Sequence, residues 1–457
     1  MNQARPGIPK GTRDFGPEIV AKRSIILSTI RAIFKKYGFQ PLETPAMENL
    51  EVLMGKYGQE GDQLLFKILN SGNFLAKVDQ DLTQADPRQL LPKIAEKGLR
   101  YDLTVPFARY VATHYYELAM PFRRYQIQPV WRADRPQKGR YREFLQCDAD
   151  VIGTSSLACE AEILLMIQEV MDSLGIDGFE IAINNRKLLS GLSEYLGFPE
   201  KETPLCIAID KLEKIGMEGV TNELVKTGFT EESIRMLLPY LEMKGGYQEK
   251  LDQLEMLLGN EKSKAGYDEL NKVLHHVETM SGNQSSIVFD QNLARGLSYY
   301  TGFILEVRIV DGTIGSVCGG GRYDDLTGIF GLRGVSGVGI SFGIDRLFDV
   351  MEQMSLFDKQ TSSFTRVLVT HMGDKAFREA LSITTKLRAK DIPSEIYPDQ
   401  SKLKKQLSYA NKNHIPWVIT IGEDELKAGL FTLKEMASGV SRQLNKEEMF
   451  DFIQHIP

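Results

Sequence analysis

Between Tyr125 and Gly153 the chain reads YQIQPVWRADRPQKGRYREFLQCDADVIG, two apolar runs around a polar segment, with four arginines and four carboxylates along the stretch. Alternation of Tyr125, Ile127, Pro129 and Trp131 predicts a strand, and Phe144 to Ile152 predicts a second, with DRPQKGRYRE as the polar loop between them. An antiparallel pair joined by that loop would aim Arg132, Arg135, Arg140 and Arg142 at one cavity, where planar guanidinium forks match phosphate oxygens two at a time. Residues two apart on a strand share a face, so Gln146, Asp148 and Asp150 go together, to a pocket or to a core. The competing reading is a surface hairpin whose exposed ion pairs contribute little. These residues alone leave both readings open.

At 457 residues, 42% hydrophobic and 25% charged, the chain is long enough for two or three domains and has ordinary globular proportions. A net charge of −6 argues against a general nucleic-acid coat but leaves room for local basic surfaces. Asn184 to Gly282 carries 12 basic and 17 acidic residues, whereas Thr365 to Pro457 carries 14 and 12. The C-terminal part is therefore the better polyanion surface. Cys147, Cys159, Cys206 and Cys318 are scattered and form no CxxC pair, which predicts neither a disulfide framework nor a zinc ribbon and fits a reducing cytoplasm. No signal-type apolar core follows Met1, and no apolar run approaches the roughly 20 residues that span a bilayer. Phosphate-loop and HExxH signatures are missing too.

Apolar spacing at Ile26, Ile30, Ile33 and Phe34 predicts a helix from Glu18 to Tyr37, stopped by Gly38. Leu64 to Pro106 reads as strands interrupted by a polar insertion around Asp79 to Arg88. A helix from Ser155 to Leu174 follows, with Ser155 or Ser156 as cap and Gly175 as stop. Short amphipathic helices with turns at Gly197, Gly228 and Gly245-Gly246 predict an inserted helical domain over 184–282. A sheet pattern resumes at Ile287 and runs through FILEVRIV, and the glycines of CGGGRYDDL suit a tight hairpin or a close ligand. SLFDKQTSSF reads as a linker. Beyond it, VLVTHM, SEIYP and PWVITIGE alternate with helices from Lys375 to Lys390 and from Ser401 to Asn413, predicting a small α/β domain with a mostly parallel sheet. The expected division is 1–183, 184–282, 283–354, a linker at 355–364, and 365–457.

Several of these segments resemble one family. RPQKGRYREF followed by QCDAD resembles motif 2 of class II aminoacyl-tRNA synthetases in its histidyl version, and GFQPLETPAMEN resembles motif 1, with Pro45 at the motif proline. RGLSYYTGF resembles the first histidine signature, whose commoner form is RGLDYYTG, so Ser298 replaces an acid. GGRYD resembles the second. GVSGVGISFGIDRLFDVM has the wrong spacing for a dinucleotide loop and resembles motif 3. YDLTVPFARY and QCDAD resemble the eukaryotic-type variant.

The resemblance implies a class II antiparallel sheet flanked by helices, an inserted helical domain, a C-terminal α/β anticodon-binding domain and a homodimer built on motif 1. It also implies ATP-dependent activation of L-histidine and transfer to tRNA(His), with Mg²⁺ carried on the ATP phosphates and neither membrane nor DNA as partner. Arg132 and Arg295 would act at the α-phosphate, Arg140 and Arg346 on the distal phosphates, and Asp134 on the nucleotide. Asp102, Thr104 and Gln146 would take the α-amino end of histidine, and Asp150, Tyr300 and Tyr323 its ring. In the last domain Lys402, Lys405 and Tyr409 share a helical face, with Trp417 soon after, as splayed RNA bases require. Two rivals are a non-catalytic regulatory paralogue, expected to lack the C-terminal domain and the key arginines, and a prolyl or threonyl ligase, against which both histidine signatures speak.

Overall fold

The computed structural model describes residues 6–56, 58–78, 86–137, 139–282, 285–294, 299–310, 312, 314–357 and 364–455. Two compact units divide the chain: Met1–Arg13 with Ile26–Leu356, and Asp14–Ile25 with Phe357–Pro457.

Helix α1 (Pro17–Lys36) buries the expected Ile26, Ile30, Ile33 and Phe34, and the Phe34 ring lies 5.7 Å from Tyr125 and 6.3 Å from Phe342. After Gly38, at φ +80°, come β1 (Gln40–Pro41), β2 (Met47–Asn49), α2 (Leu50–Leu53), α3 (Gly58–Leu64), β3 (Lys67–Ile68), α4 (Pro87–Ile94), β4 (Lys97–Leu99) and α5 (Thr104–His114). The strands expected between Leu64 and Pro106 shrink to β3 and β4. Proline is pre-organised for a first helical position, and Leu90, Leu91 and Ile94 at helical spacing are half-buried, so helix wins at α4. Asp79 to Ala85 of the expected polar insertion lie outside the described residues.

Strands β5 (Phe122–Trp131) and β6 (Glu143–Ile152) form the expected antiparallel hairpin, from Phe122 opposite Ile152 to Trp131 opposite Glu143. Helix α6 (Ala158–Ser173) begins later than expected, and neither Ser155 nor Ser156 caps it: Leu157 is the cap residue and makes no side-chain bond. The buried Arg322 guanidinium donates to the Thr154 and Ser156 carbonyls, and this holds the segment out of the helix. Gly175, at φ +69°, stops α6 as read from the sequence.

β7 (Phe179–Asn185) leads into α7 (Arg186–Tyr195), α8 (Glu202–Ile209), α9 (Leu212–Lys226), α10 (Glu231–Leu241), α11 (Tyr247–Leu258) and α12 (Glu261–Ser281), the helical insertion. Helices α7 and α12 cross where a Cβ on Gly191 would meet Ser263 Oγ at 1.9 Å. The chain returns through β8 (Ile287–Phe289), β9 (Phe303–Ile309), β10 (Cys318–Tyr323), β11 (Gly337–Gly343) and α13 (Ile344–Gln353). Among the described residues the large sheet has the order β1-β5-β6-β11-β10-β9-β7-β8, parallel only at its two outer pairs.

In the second unit β12 (Val367–His371), α14 (Asp374–Ala389), β13 (Ser394–Ile396), α15 (Leu403–Lys412), β14 (Trp417–Ile421), α16 (Glu423–Ala428), β15 (Phe431–Glu435), β16 (Ser441–Leu444) and α17 (Lys446–His455) enclose a core containing Val367, Ile383, Ile419 and Met449. The sheet is mixed rather than mostly parallel. β13, β12 and β14 are parallel, but the connection 422–430 is too short for a parallel crossover, so β15 and β16 return antiparallel. No helix among the described residues is long and apolar enough to cross a membrane.

Candidate active site

The sheet alternation places Gln146, Asp148 and Asp150 on one face of β6, opposite Gly343, Ser341 and Gly339 of β11, and all six line a chamber of about 480 Å³. Glycine is required here for space. A Cβ on Gly339 would lie 1.9 Å from Asp150 Oδ1, one on Gly337 would lie 2.6 Å from the Tyr323 ring, and one on Gly321 would lie 2.8 Å from the Tyr300 ring. The CGGGRY glycines therefore belong to a central strand rather than to a tight hairpin.

Asp102, Thr104, Asp150, Tyr300 and Tyr323 line the chamber with Gln146, as the expected histidine set. Asp102 Oδ1 accepts from the Val105 N–H at 3.1 Å, at the start of α5. Gln146 Nε2 donates to Ser341 Oγ at 2.8 Å, and Tyr323 OH donates to Asp150 Oδ1 at 2.7 Å. Asp150 also lies 2.8 Å from the Arg124 guanidinium, which is fully buried over Phe107. Burial pushes the Asp150 carboxyl up from its ordinary range, against the opposing pull of Arg124 and the Tyr323 bond. Burial and the Asp150 charge together push the Tyr323 hydroxyl far up, so it stays a donor.

At the hairpin end the chamber is basic. Arg132 donates through Nε to the Tyr101 carbonyl at 3.0 Å, its guanidinium 4.2 Å over the Tyr101 ring and 5.2 Å from that of Phe144. Arg140 is half-exposed, 3.9 Å from Asp134, and Arg346 at the start of α13 donates through Nη1 to the Ser316 carbonyl at 2.6 Å. Arg132, Asp134, Arg140 and Arg346 thus share one cavity. The other two loop arginines do not join them. Arg135 is exposed outside the lining, and Arg142 turns back to donate to the Asp134 carbonyl at 3.0 Å while its own N–H donates to Gly11 O at 2.8 Å. Arg142 therefore braces the loop against the N-terminal segment.

Arg295 and Ser298 lie outside the described residues. Sequence reasoning missed Arg13, which is paired with the chamber residue Asp345 and stacked 3.3 Å over Tyr141. It also missed Arg124, although a cation in phase with Gln126 and Gln128 on a strand was a usable signal. The described residues contain no cluster of three or more His, Cys, Asp or Glu suited to a metal, while Asp134 and Glu306 each present a carboxylate to the chamber.

In the second unit Lys402 precedes α15, Lys405 is exposed, and the Tyr409 OH donates to Glu395 at 3.3 Å. Trp417 is not an exposed stacking platform. It is half-buried on β14 against Phe452, with ring centroids 5.5 Å apart.

Comparison with known proteins agrees with this geometry. The profile described as Histidyl-tRNA synthetase matches residues 93–347, and that of an anticodon binding domain matches 366–456. The histidine–tRNA ligase of Cytophaga hutchinsonii is 55% identical over 446 residues, covering 97% of this chain and 98% of the relative. That of Phocaeicola vulgatus is 50% identical over 453 residues, covering 99% of each. The crystal structure of histidyl-tRNA synthetase from Nostoc sp. PCC 7120 superposes with a TM-score of 0.82 at 30% identity, covering 99% of both chains. By profile, by near full-length identity and by fold, the chain belongs to the histidyl-tRNA synthetase family.

Proposed function

We propose that the chamber binds L-histidine and ATP side by side, for a histidine–tRNA ligase that forms histidyl-adenylate and passes the histidyl group to the 3′ end of tRNA(His). The observation that carries the reading is one chamber joining a buried acidic floor to three arginines at its hairpin end. The histidine carboxylate attacks the α-phosphorus and pyrophosphate leaves. Negative charge grows on the phosphoryl oxygens in the transition state, where fixed cations lower the barrier most. Arg132 and Arg295 serve there, Arg140 and Arg346 hold the distal phosphates, and Asp134 orients the nucleotide.

Asp102, Thr104 and Gln146 take the α-amino end, and Asp150, Tyr300 and Tyr323 surround the imidazole. A polar pocket of this kind rejects amino acids that leave its buried groups unpaired, by roughly four to five powers of ten. Mg²⁺ suits the site, since it binds through one or two carboxylates plus phosphates and Asp134 and Glu306 face the chamber. When bound it neutralises phosphate charge.

Motif 1 residues around Pro45 supply a homodimer interface, α15 with Lys402, Lys405 and Tyr409 contacts tRNA bases, and the protein works in the cytoplasm. The division into 1–183, 184–282, 283–354, 355–364 and 365–457 belongs to the same proposal; residues 358–363 of its linker lie outside the described residues. Charging of a tRNA(His) transcript with labelled histidine tests the reading. ATP-dependent, acid-precipitable histidine is expected, and an uncharged transcript with folded protein would refute it.

A further inference from the structure

The chamber floor carries two carboxylates where recognition of one imidazole N–H needs one. Asp148 and Asp150 share a face of β6 and are 2% and 3% exposed, and the fully buried guanidinium of Arg124 on β5 lies behind them. Arg124 Nη2 lies 2.8 Å from Asp150 Oδ2 and 3.9 Å from Asp148 Oδ2. Among the described residues, Asp148 Oδ1 accepts no hydrogen bond, and Arg124 Nε and Nη1 donate none.

The groups facing Asp148 come from several elements. Arg124 faces it from β5, Asp150 from its own strand, Asp102 from the segment before α5, and Tyr323 and Tyr300 from β10 and the segment before β9, while β11 contributes the neutral Ser341. With both β6 carboxylates ionised, the trio of Arg124, Asp148 and Asp150 holds one negative charge in excess. Burying such a charge unpaired is strongly disfavoured, so the floor requires one proton or one cation more.

We propose that Asp148 is a further specificity-determining residue, which makes histidine binding take up a proton: one proton, held by Asp148 or by the ring, completes the balance between Arg124, the two carboxylates and the bound imidazole. Imidazole is the side chain whose charge changes between about pH 5 and 8, so it suits a floor one charge short of neutrality. An aliphatic or phenyl side chain cannot share that proton, so the floor must hold it alone. Burial raises the Asp148 carboxyl to about 7, opposed by Arg124 and reinforced by Asp150 and Asp102.

The inference rests on the chamber's reading as the histidine site, and calorimetric titration of the full chain with L-histidine, in buffers of different ionisation heat, tests the two separately. At pH 8 Asp148 and free imidazole are both mostly unprotonated, so binding takes up close to one proton. At pH 6 both already carry protons, and the uptake falls to zero or reverses. Asp148→Asn leaves Arg124 and Asp150 balanced, and uptake at pH 8 disappears. Histidine binding by the parent at pH 8 with no proton uptake overturns the inference while leaving the pocket reading intact, and so does undiminished uptake by Asp148→Asn. Absence of histidine binding at either pH overturns both. The parent measurement stands even if the variant fails to fold.

Discussion

Replacing Gly339 with Ala tests whether Asp150 is the group that reads the histidine side chain. The new Cβ would lie 1.9 Å from Asp150 Oδ1, 2.4 Å from its Cγ and 3.1 Å from the Ala149 carbonyl, so the carboxylate, not the strand backbone, must yield. Yielding takes it off Tyr323 OH and Arg124, now 2.7 and 2.8 Å away. A hydrogen bond to a charged group contributes about 1.5–3 kcal/mol. At about 1.36 kcal/mol per factor of ten, losing one such bond to the imidazole lowers kcat/KM for histidine about 10- to 100-fold. Overpacking adds a stability cost of about 1–3 kcal/mol, so the variant is assayed well below its unfolding midpoint. The assay is histidine-dependent exchange of pyrophosphate into ATP, with KM for ATP as internal control because Arg132, Arg140 and Arg346, proposed to hold the phosphates, lie at the hairpin end. A folded Gly339→Ala protein with unchanged kcat/KM for histidine would refute the assignment of Asp150 to the ring.

Arg295→Ala should nearly abolish adenylation while leaving far-ultraviolet circular dichroism unchanged, and a retained exchange rate removes it from the α-phosphate. Glu160→Gln breaks a fully buried pair in which Arg322 Nη2 donates to Glu160 at 2.8 Å; the expected loss is about 3–5 kcal/mol in urea unfolding, and a loss under about 1 kcal/mol contradicts the pair's bracing role. Lys402→Ala with Lys405→Ala should raise KM for tRNA(His) severalfold without altering pyrophosphate exchange, whereas an unchanged KM moves the tRNA contact elsewhere. Asp148 adds a pH term to stability. Its raised carboxyl keeps the folded state protonated where the unfolded chain has ionised, so stability falls from about pH 4 to about pH 7 and then levels off. Asp148→Asn should flatten that slope, as read by denaturant unfolding across this range, and an unchanged slope excludes Asp148 as its source.

Much of this site was legible because strand alternation carries position as well as structure. Once Phe144 to Ile152 is read as a strand, Gln146, Asp148 and Asp150 must share a face, and the hairpin register follows from a single loop. Loop arginines obey no such rule. Arg142 is drawn to the Asp134 carbonyl and its backbone to Gly11, partners more than a hundred residues apart in sequence, so the expected convergence of four guanidinium groups reduces to Arg132 and Arg140, joined by Arg346. The glycines of CGGGRY looked like a turn because local conformation and space-making leave the same letter. Their purpose emerges only against Tyr300 and the neighbouring strands. Long-range capture also overrode the helix cap expected at Ser155 or Ser156, whose segment Arg322 holds instead. The antiparallel half of the second sheet turned on connection length, a signal present in the sequence once β14 and β15 are both recognised.

Pyrophosphate exchange into ATP, run with each of the twenty amino acids in turn and without tRNA, tests the central claim most directly. Exchange supported by histidine alone is predicted, since the acidic floor and the phosphate arginines then act on one substrate pair. Exchange supported by another amino acid would contradict the pocket assignment, and exchange with none would mean a chamber that binds without activating.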